Sequence, residues 1–246
     1  MDMQMYKIVL IVLGTLVGSY VQSVTGFGFG IVAMMFLPHL LAFTEANVLS
    51  SILGCFTSVM VILSMYRQVN WKNIIFPLIS CSITNYLAVS YVSGAKNEML
   101  TLLLGIALFI LSIYFFFFSS RIRIRATWYS GLIAGSVSGV MSGLFAIGGP
   151  PVVVYFLQSE KDTDTYVATI SAYFVINGII SITMKALNGF VTGNVFIGMA
   201  FGIVGMLLGS VLGKRTRSAI NPQLLKKAVY GVMAVSGLIN VFTALL

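Results

Sequence analysis

Charge is what this sequence lacks. Only 8% of its 246 residues are Asp, Glu, Lys or Arg, against roughly 25% in a soluble domain. With 59% hydrophobic residues and a mean hydropathy of +1.02, it has too little polar surface to coat a water-facing globule. Acids are scarcest: Asp2, Glu45, Glu98, Glu160, Asp162 and Asp164 all fall at the ends of apolar blocks. Proton pumps usually place a carboxylate or histidine within a span, so coupling to protons finds no support here. The single histidine, His39, follows Pro38 at a block end, where a surface or packing role fits better. An enzyme acting inside the membrane would need a nucleophile with a base in reach, or a metal cluster. Neither is present, so no catalytic residue, metal or cofactor is expected. Cys55 and Cys81 lie in apolar segments with no ligand partners at metal spacing, and read as inert core thiols.

What is there is apolar sequence in eight blocks, roughly 6–41, 46–66, 72–93, 98–118, 128–157, 165–187, 192–213 and 223–245. The start, Met1 to Lys7, lacks the basic region and cleavage site of a signal peptide and reads as the uncleaved beginning of the first span. The net charge of +8 does not indicate nucleic acid, because the basic residues cluster in short loops between blocks. Loop bias that orients a protein in a bilayer is the plainer explanation. The linkers are too short to divide the chain, so 1–246 is expected to form one membrane transport domain.

The first and fifth blocks are longer than the roughly 20 residues a simple span needs, and glycine interrupts both. The first carries Thr25-Gly26-Phe27-Gly28-Phe29-Gly30, the second Ile147-Gly148-Gly149-Pro150-Pro151. A broken backbone leaves N–H and C=O groups without partners, which lipid tolerates only where they are packed in protein or line a wet cavity. An offset of 120 aligns the halves: Gly28 on Gly148, Val32 on Val152, Phe36 on Phe156 and Ser51 on Ser171. This predicts an internal duplication, repeat one over 1–120 and repeat two over 121–246.

Charge decides the orientation of the repeats. If every block crossed once, the basic residues would divide evenly. If the two broken blocks enter and return as helical hairpins, one side holds Arg67, Lys72, Arg121, Arg123, Arg125, Lys161, Lys214, Arg215, Arg217, Lys226 and Lys227. The other keeps Lys7, Lys96 and Lys185. That bias is the one expected of cytoplasmic loops. The predicted fold is therefore an all-α polytopic membrane protein of two inverted repeats, each opening with a glycine-broken hairpin, both termini periplasmic. Trp71, Trp128, Tyr66 and Tyr129 fall beside the inside loops, where amphipathic rings prefer to sit. Glycines recur every four positions at Gly131, Gly135, Gly139, Gly143 and at Gly205, Gly209, Gly213. Such stripes suit close helix packing within the protomer; a homodimer contact is the alternative.

The breaks place the N-termini of half-helices, about Gly30–Leu41 and Pro150–Leu157, in the membrane interior. A helix N-terminus carries unpaired N–H donors and about half a positive charge, a ready anion site. Paired interrupted segments are the sequence pointer to a transporter's binding site. No Arg or Lys lies in the middle of any block, so an anion would be held by dipoles and hydroxyls. The candidate substrate-binding residues at the breaks are Gly26, Phe27, Gly28, Phe29, Gly30, Ile147, Gly148, Gly149 and Pro150. Before the breaks come Gln22, Ser23, Thr25, Ser138 and Ser142. On the following spans come Asn47, Ser50, Ser51, Thr57, Ser171 and Asn177. Asn177, amid Val175-Ile176 and Ile179-Ile180, is the costliest of these to bury without a partner; it and Ser171 lead.

At these two motifs the sequence resembles the TauE/SafE family of membrane proteins, the sulfite exporter or TSUP group. Its members carry a glycine-rich break early in each half, the second of the form Ser-Gly-Leu-x-x-Ile-Gly-Gly-Pro-Pro. Here that reads Ser142-Gly143-Leu144-Phe145-Ala146-Ile147-Gly148-Gly149-Pro150-Pro151. In the first break, Phe29 stands where the family often has glycine, which implies a narrower site or an altered substrate size. The resemblance covers the whole chain. It implies movement of sulfite, a sulfonate or a related small organosulfur anion across the bacterial inner membrane, by a transporter or exporter. A passive anion channel and a carrier of another small organic anion are the alternative functions.

Overall fold

The structure is a computed structural model that describes residues 5–245 apart from 118–124, 161, 218 and 221. Ten α-helices follow in order: α1 (Met5–Thr25), α2 (Phe29–Phe36), α3 (Phe43–Met65), α4 (Trp71–Gly94), α5 (Asn97–Phe117), α6 (Trp128–Phe145), α7 (Gly149–Ser159), α8 (Thr163–Leu187), α9 (Gly193–Thr216) and α10 (Pro222–Leu245). No strand is present among the described residues. Among the described residues, seven helices are long and apolar enough to cross a bilayer. The chain is an all-α, multi-pass membrane protein. Of the cations counted above, Arg121, Arg123 and Lys161 lie outside the described residues, as does the side chain of Lys226.

Both long blocks fold back on themselves. Gly28 adopts φ 111°, a left-handed conformation that is strained for any residue with a Cβ, and there the chain reverses. α2 then runs antiparallel to α1: Phe29 packs on Gly18, the Phe36 ring covers Gly14, and the Lys7 amine donates to the Leu40 carbonyl at 3.1 Å. The half-helix is shorter than its sequence suggests. It passes into a tighter 3-10 turn at Leu37–His39, because Pro38 has no N–H to continue α-helical bonding. The second hairpin turns at Ala146, also left-handed at φ 57°, and α7 extends to Ser159.

Polar side chains fix which ends meet. Glu45 accepts from the hydroxyl of Thr192 at 2.6 Å and the amide of Asn194 at 3.1 Å. Together with the Lys7–Leu40 bond, this gathers the starts of α1, α3 and α9 at one end, the Lys7 end. At the opposite end, Asn70 and Asn73 both donate to Glu160, at 3.2 and 2.8 Å, and Arg217 approaches Asp164. Tyr66, Trp71, Trp128 and Tyr129 are exposed at that second end.

The glycine stripes are spent inside the protomer. A methyl group on Gly205 or Gly209 would lie 2.1 Å from the Val12 or Leu16 carbonyl of α1. One on Gly135 would lie 2.1 Å from the Pro77 carbonyl of α4. With no hydrophobic drive between helices in lipid, such backbone approach is what holds α1 to α9 and α4 to α6. These two pairings, with α3 crossing α8 and α5 crossing α10, dominate the packing. Neither stripe presents the open face that a homodimer contact would use.

Candidate functional site: a cavity where the two breaks meet

The hairpin tips approach from opposite ends and touch. A Cβ on Gly30 would sit 2.0 Å from the Ala146 carbonyl, and one on Gly149 would touch the Phe27 ring at 3.4 Å. Beside this contact lies a cavity of about 70 Å³. Its floor is the two breaks, Gly28, Gly30, Ala146, Ile147, Gly148 and Gly149; α3 and α8 form its walls. In the first turn of α2 the N–H groups of Phe29, Gly30 and Ile31 precede any intrahelical carbonyl they could bond. α7 differs, because Pro150 and Pro151 have no N–H, leaving Gly148, Gly149 and Val152 to donate.

Several sequence-predicted residues converge here. Gln22 lines the cavity and donates to the Ser58 hydroxyl at 2.7 Å. Asn177 lies opposite: its carbonyl oxygen accepts from Asn85 at 3.2 Å and from the Cys81 thiol at 3.2 Å. Its amide donates to the Ser142 hydroxyl at 3.2 Å. Each hairpin is thus stitched to the long helix beside it by a side-chain amide. Ser51 also lines the cavity, its hydroxyl donating to the Asn47 carbonyl at 3.0 Å.

Other candidates hold the scaffold instead. Thr25 donates within its own turn, to the carbonyls of Val21 and Phe27, and faces Val229 and Tyr230 rather than the cavity. Gly26, at φ 85°, packs on Tyr166 and Ile170. Phe27 is buried against Phe115. Phe29 fills the gap over Gly18 and Gly54, outside the cavity wall, so this departure from the family pattern does not narrow the site. Asn47 caps the second hairpin, donating to the Leu144 carbonyl at 2.7 Å. Pro150 is buried in the first turn of α7, and Ser171 is buried on α8, both away from the cavity. Ser23 packs against Gly213, Thr57 bonds the Leu53 carbonyl, and Ser138 donates to the Gly148 carbonyl, fixing the break.

Sequence reasoning missed part of the wall. Gly54, Cys55 and Ser58 on α3 and Phe174, Gly178 and Ser181 on α8 all line the cavity. The signal was available as spacing: Ser50, Gly54 and Ser58 share one face of a helix, as do Asn177 and Ser181. Cys55, read as a core thiol, is therefore a wall residue. Ser50 and Ser181 are 1% exposed, and neither hydroxyl has a partner among the described residues. The expectation of no cation near the site also fails. Lys185, counted with the loop residues, is fully buried, and its amine donates to the Ser51 hydroxyl at 2.6 Å and the Ser142 carbonyl at 3.2 Å. Its four-carbon stem carries the amine back into the protein from the last turn of α8.

No solved structure matches. The chain is 20% identical over 221 residues to the probable sulfite/organosulfonate exporter TauE of Cupriavidus necator, covering 88% of this chain and 86% of that protein. The family model described as sulfite exporter TauE/SafE matches residues 10–239. The chain belongs to the TauE/SafE sulfite exporter family, a family of transporters and not of enzymes.

Proposed function

We propose that this protein is a secondary transporter that exports a small sulfur-containing oxyanion across the bacterial inner membrane, with both termini periplasmic. The observation that carries the reading is the convergence of both glycine breaks on one cavity that also holds the unpartnered hydroxyls of Ser50 and Ser181. A buried hydroxyl without a partner is costly, and an oxyanion supplies acceptors to both. The first turns of α2 and α7 add backbone donors and the positive ends of two helix dipoles. A volume of about 70 Å³ is several times the roughly 10–15 Å³ a single water requires. That is the scale of an oxyanion of a few heavy atoms. The name of the Cupriavidus necator relative, a probable sulfite/organosulfonate exporter, points the same way.

The symmetric helix pairing supports two inverted repeats, and hence alternating access by rocking of one part against the other about the cavity. The test is thermal unfolding of the purified protein with sulfite, sulfoacetate, taurine, sulfate and acetate. A ligand that binds the folded state raises its apparent stability. Stabilisation by a sulfur oxyanion and not by acetate, together with saturable counterflow in liposomes, is the expected result. Equal stabilisation by all anions, or flux that never saturates, would return the reading to a passive channel.

A further inference from the structure

α8 turns a polar row toward the cavity. Asn177, Ser181 and Lys185 follow at intervals of four residues and so stack on one face of the helix. The first two line the cavity, and Lys185 continues the row toward the Lys7 end. Both partners of its amine, Ser51 and Ser142, are themselves wall residues, which puts the amine one hydrogen bond behind the cavity surface. An ammonium has three N–H donors. Two are engaged, and no carboxylate among the described residues pairs with this one.

A cation withdrawn from water with only neutral partners is expensive, and packing alone does not call for it. A methionine of similar volume would fill the same space without that cost. Charged residues kept within membrane spans mark ion and substrate pathways. Both hydrogen-bond partners of the Lys185 amine line the same cavity, so the anion is what the charge is there to meet.

We propose that Lys185 is the fixed cation of the anion path. It neutralises the anion in the cavity from behind the Ser51 and Ser142 wall, alongside the helix ends. This rests on the anion-transport reading above. Its two partners, a hydroxyl and a carbonyl, are neutral, and an oxyanion competes with them because it brings a full opposite charge to the ammonium in a site shielded from water. The exchange has a consequence for motion. The amine joins α8 to Ser51 on α3 and to the Ser142 carbonyl near the end of α6. An anion that takes the ammonium therefore releases one tie from α8 to α3 and one from α8 to the second hairpin, which Asn47 and Asn177 continue to hold.

The experiment compares wild type with Lys185→Met, Lys185→Gln and Lys185→Arg in the full-length protein. Sulfite affinity is measured by calorimetry, and unfolding temperature without added anion serves as the structural control. Lys185→Met is expected to unfold at the wild-type temperature or higher, while its Kd for sulfite rises by about thirtyfold or more, as for loss of one partner of a buried charge pair. Lys185→Gln should weaken in the same way, and Lys185→Arg should retain measurable affinity. The comparison stands on whichever neutral variant folds. Wild-type affinity in a folded Met or Gln variant overturns the role of Lys185 and leaves the transport reading intact. An Arg variant that folds but binds no better than the neutral ones also overturns it, since charge would then not be the operative property. A wild-type protein with no affinity for sulfite, sulfoacetate, taurine or sulfate overturns both.

Discussion

Gly30 of the first hairpin and Ala146 of the second stand so close that a methyl group on the glycine would lie 2.0 Å from the alanine carbonyl. The two breaks are therefore packed backbone against backbone, and their geometry is shared. Gly30→Ala should push the tips apart and deform the cavity that both of them floor. Overpacking of this kind typically costs about 1–3 kcal/mol, so the variant should still insert and fold at a lowered temperature. Sulfite-dependent stabilisation should disappear. A Gly30→Ala protein that keeps the wild-type response would show that the tip contact does not shape the site.

Asn177 and Ser171 lead the candidates read from the sequence, and the structure separates them. Asn177 bonds Asn85, Cys81 and Ser142 in the cavity wall, whereas Ser171 is buried elsewhere on α8. Asn177→Leu leaves the Asn85 amide and the Ser142 hydroxyl short of a partner, at about 1–3 kcal/mol for each buried group. It should abolish transport. Ser171→Ala should leave uptake by proteoliposomes within about twofold, as changes away from the site usually do. Equal losses in the two variants would remove Asn177 from its place in the site.

The contrast shows what could be read from sequence. The hairpins were legible because Gly28 and Gly148 recur at the same offset and because loop charge rejects eight simple crossings. The cavity itself was half legible. Gln22, Ser51, Ser142 and the glycine turns were found, since polar residues beside a backbone break have little other reason to lie in an apolar tract. Lys185 was not, because a residue two positions from a helix end is ordinarily a loop cation. Only the packing of α3 against α8 reveals that its stem points inward. Phe29 misled for a similar reason: its position in the motif says nothing of the gap over Gly18 and Gly54 that its ring fills.

The glycine stripes give a graded prediction. A methyl group on Gly139 would lie 2.1 Å from the Thr84 hydroxyl and 2.4 Å from the Cys81 carbonyl, whereas nothing lies within 4 Å of one on Gly94. Gly139→Ala should separate α6 from α4, break the bond from Thr84 to the Ser136 carbonyl and destabilise by about 1–3 kcal/mol or more. Gly94→Ala should be neutral or stabilise by about 0.4–1 kcal/mol, through the unfolded chain alone. Unfolding temperatures measured in one detergent would check both, and a milder effect at Gly139 than at Gly94 would contradict the packing described.

Asp162 offers a test by pH at the end of the bundle opposite Lys7. It caps α8, accepting from the Thr165 backbone N–H at 2.9 Å and the Thr165 hydroxyl at 2.8 Å. These bonds favour the ionised form and hold its carboxyl below the usual 3.8. The sign follows from linkage: a carboxyl whose folded value is depressed adds stability above its unfolded value and loses it as pH falls through the folded one. The difference in unfolding temperature between wild type and Asp162→Ala should hold from neutral pH down to about pH 5, then shrink below about pH 4 as the carboxylate is protonated. Asp162→Asn still caps but cannot ionise, so its difference from Asp162→Ala should stay flat over the same range. A wild-type difference that is equally flat would mean that the hydroxyl and N–H of Thr165 do not bind the charged form, and that α8 begins without an ionic cap.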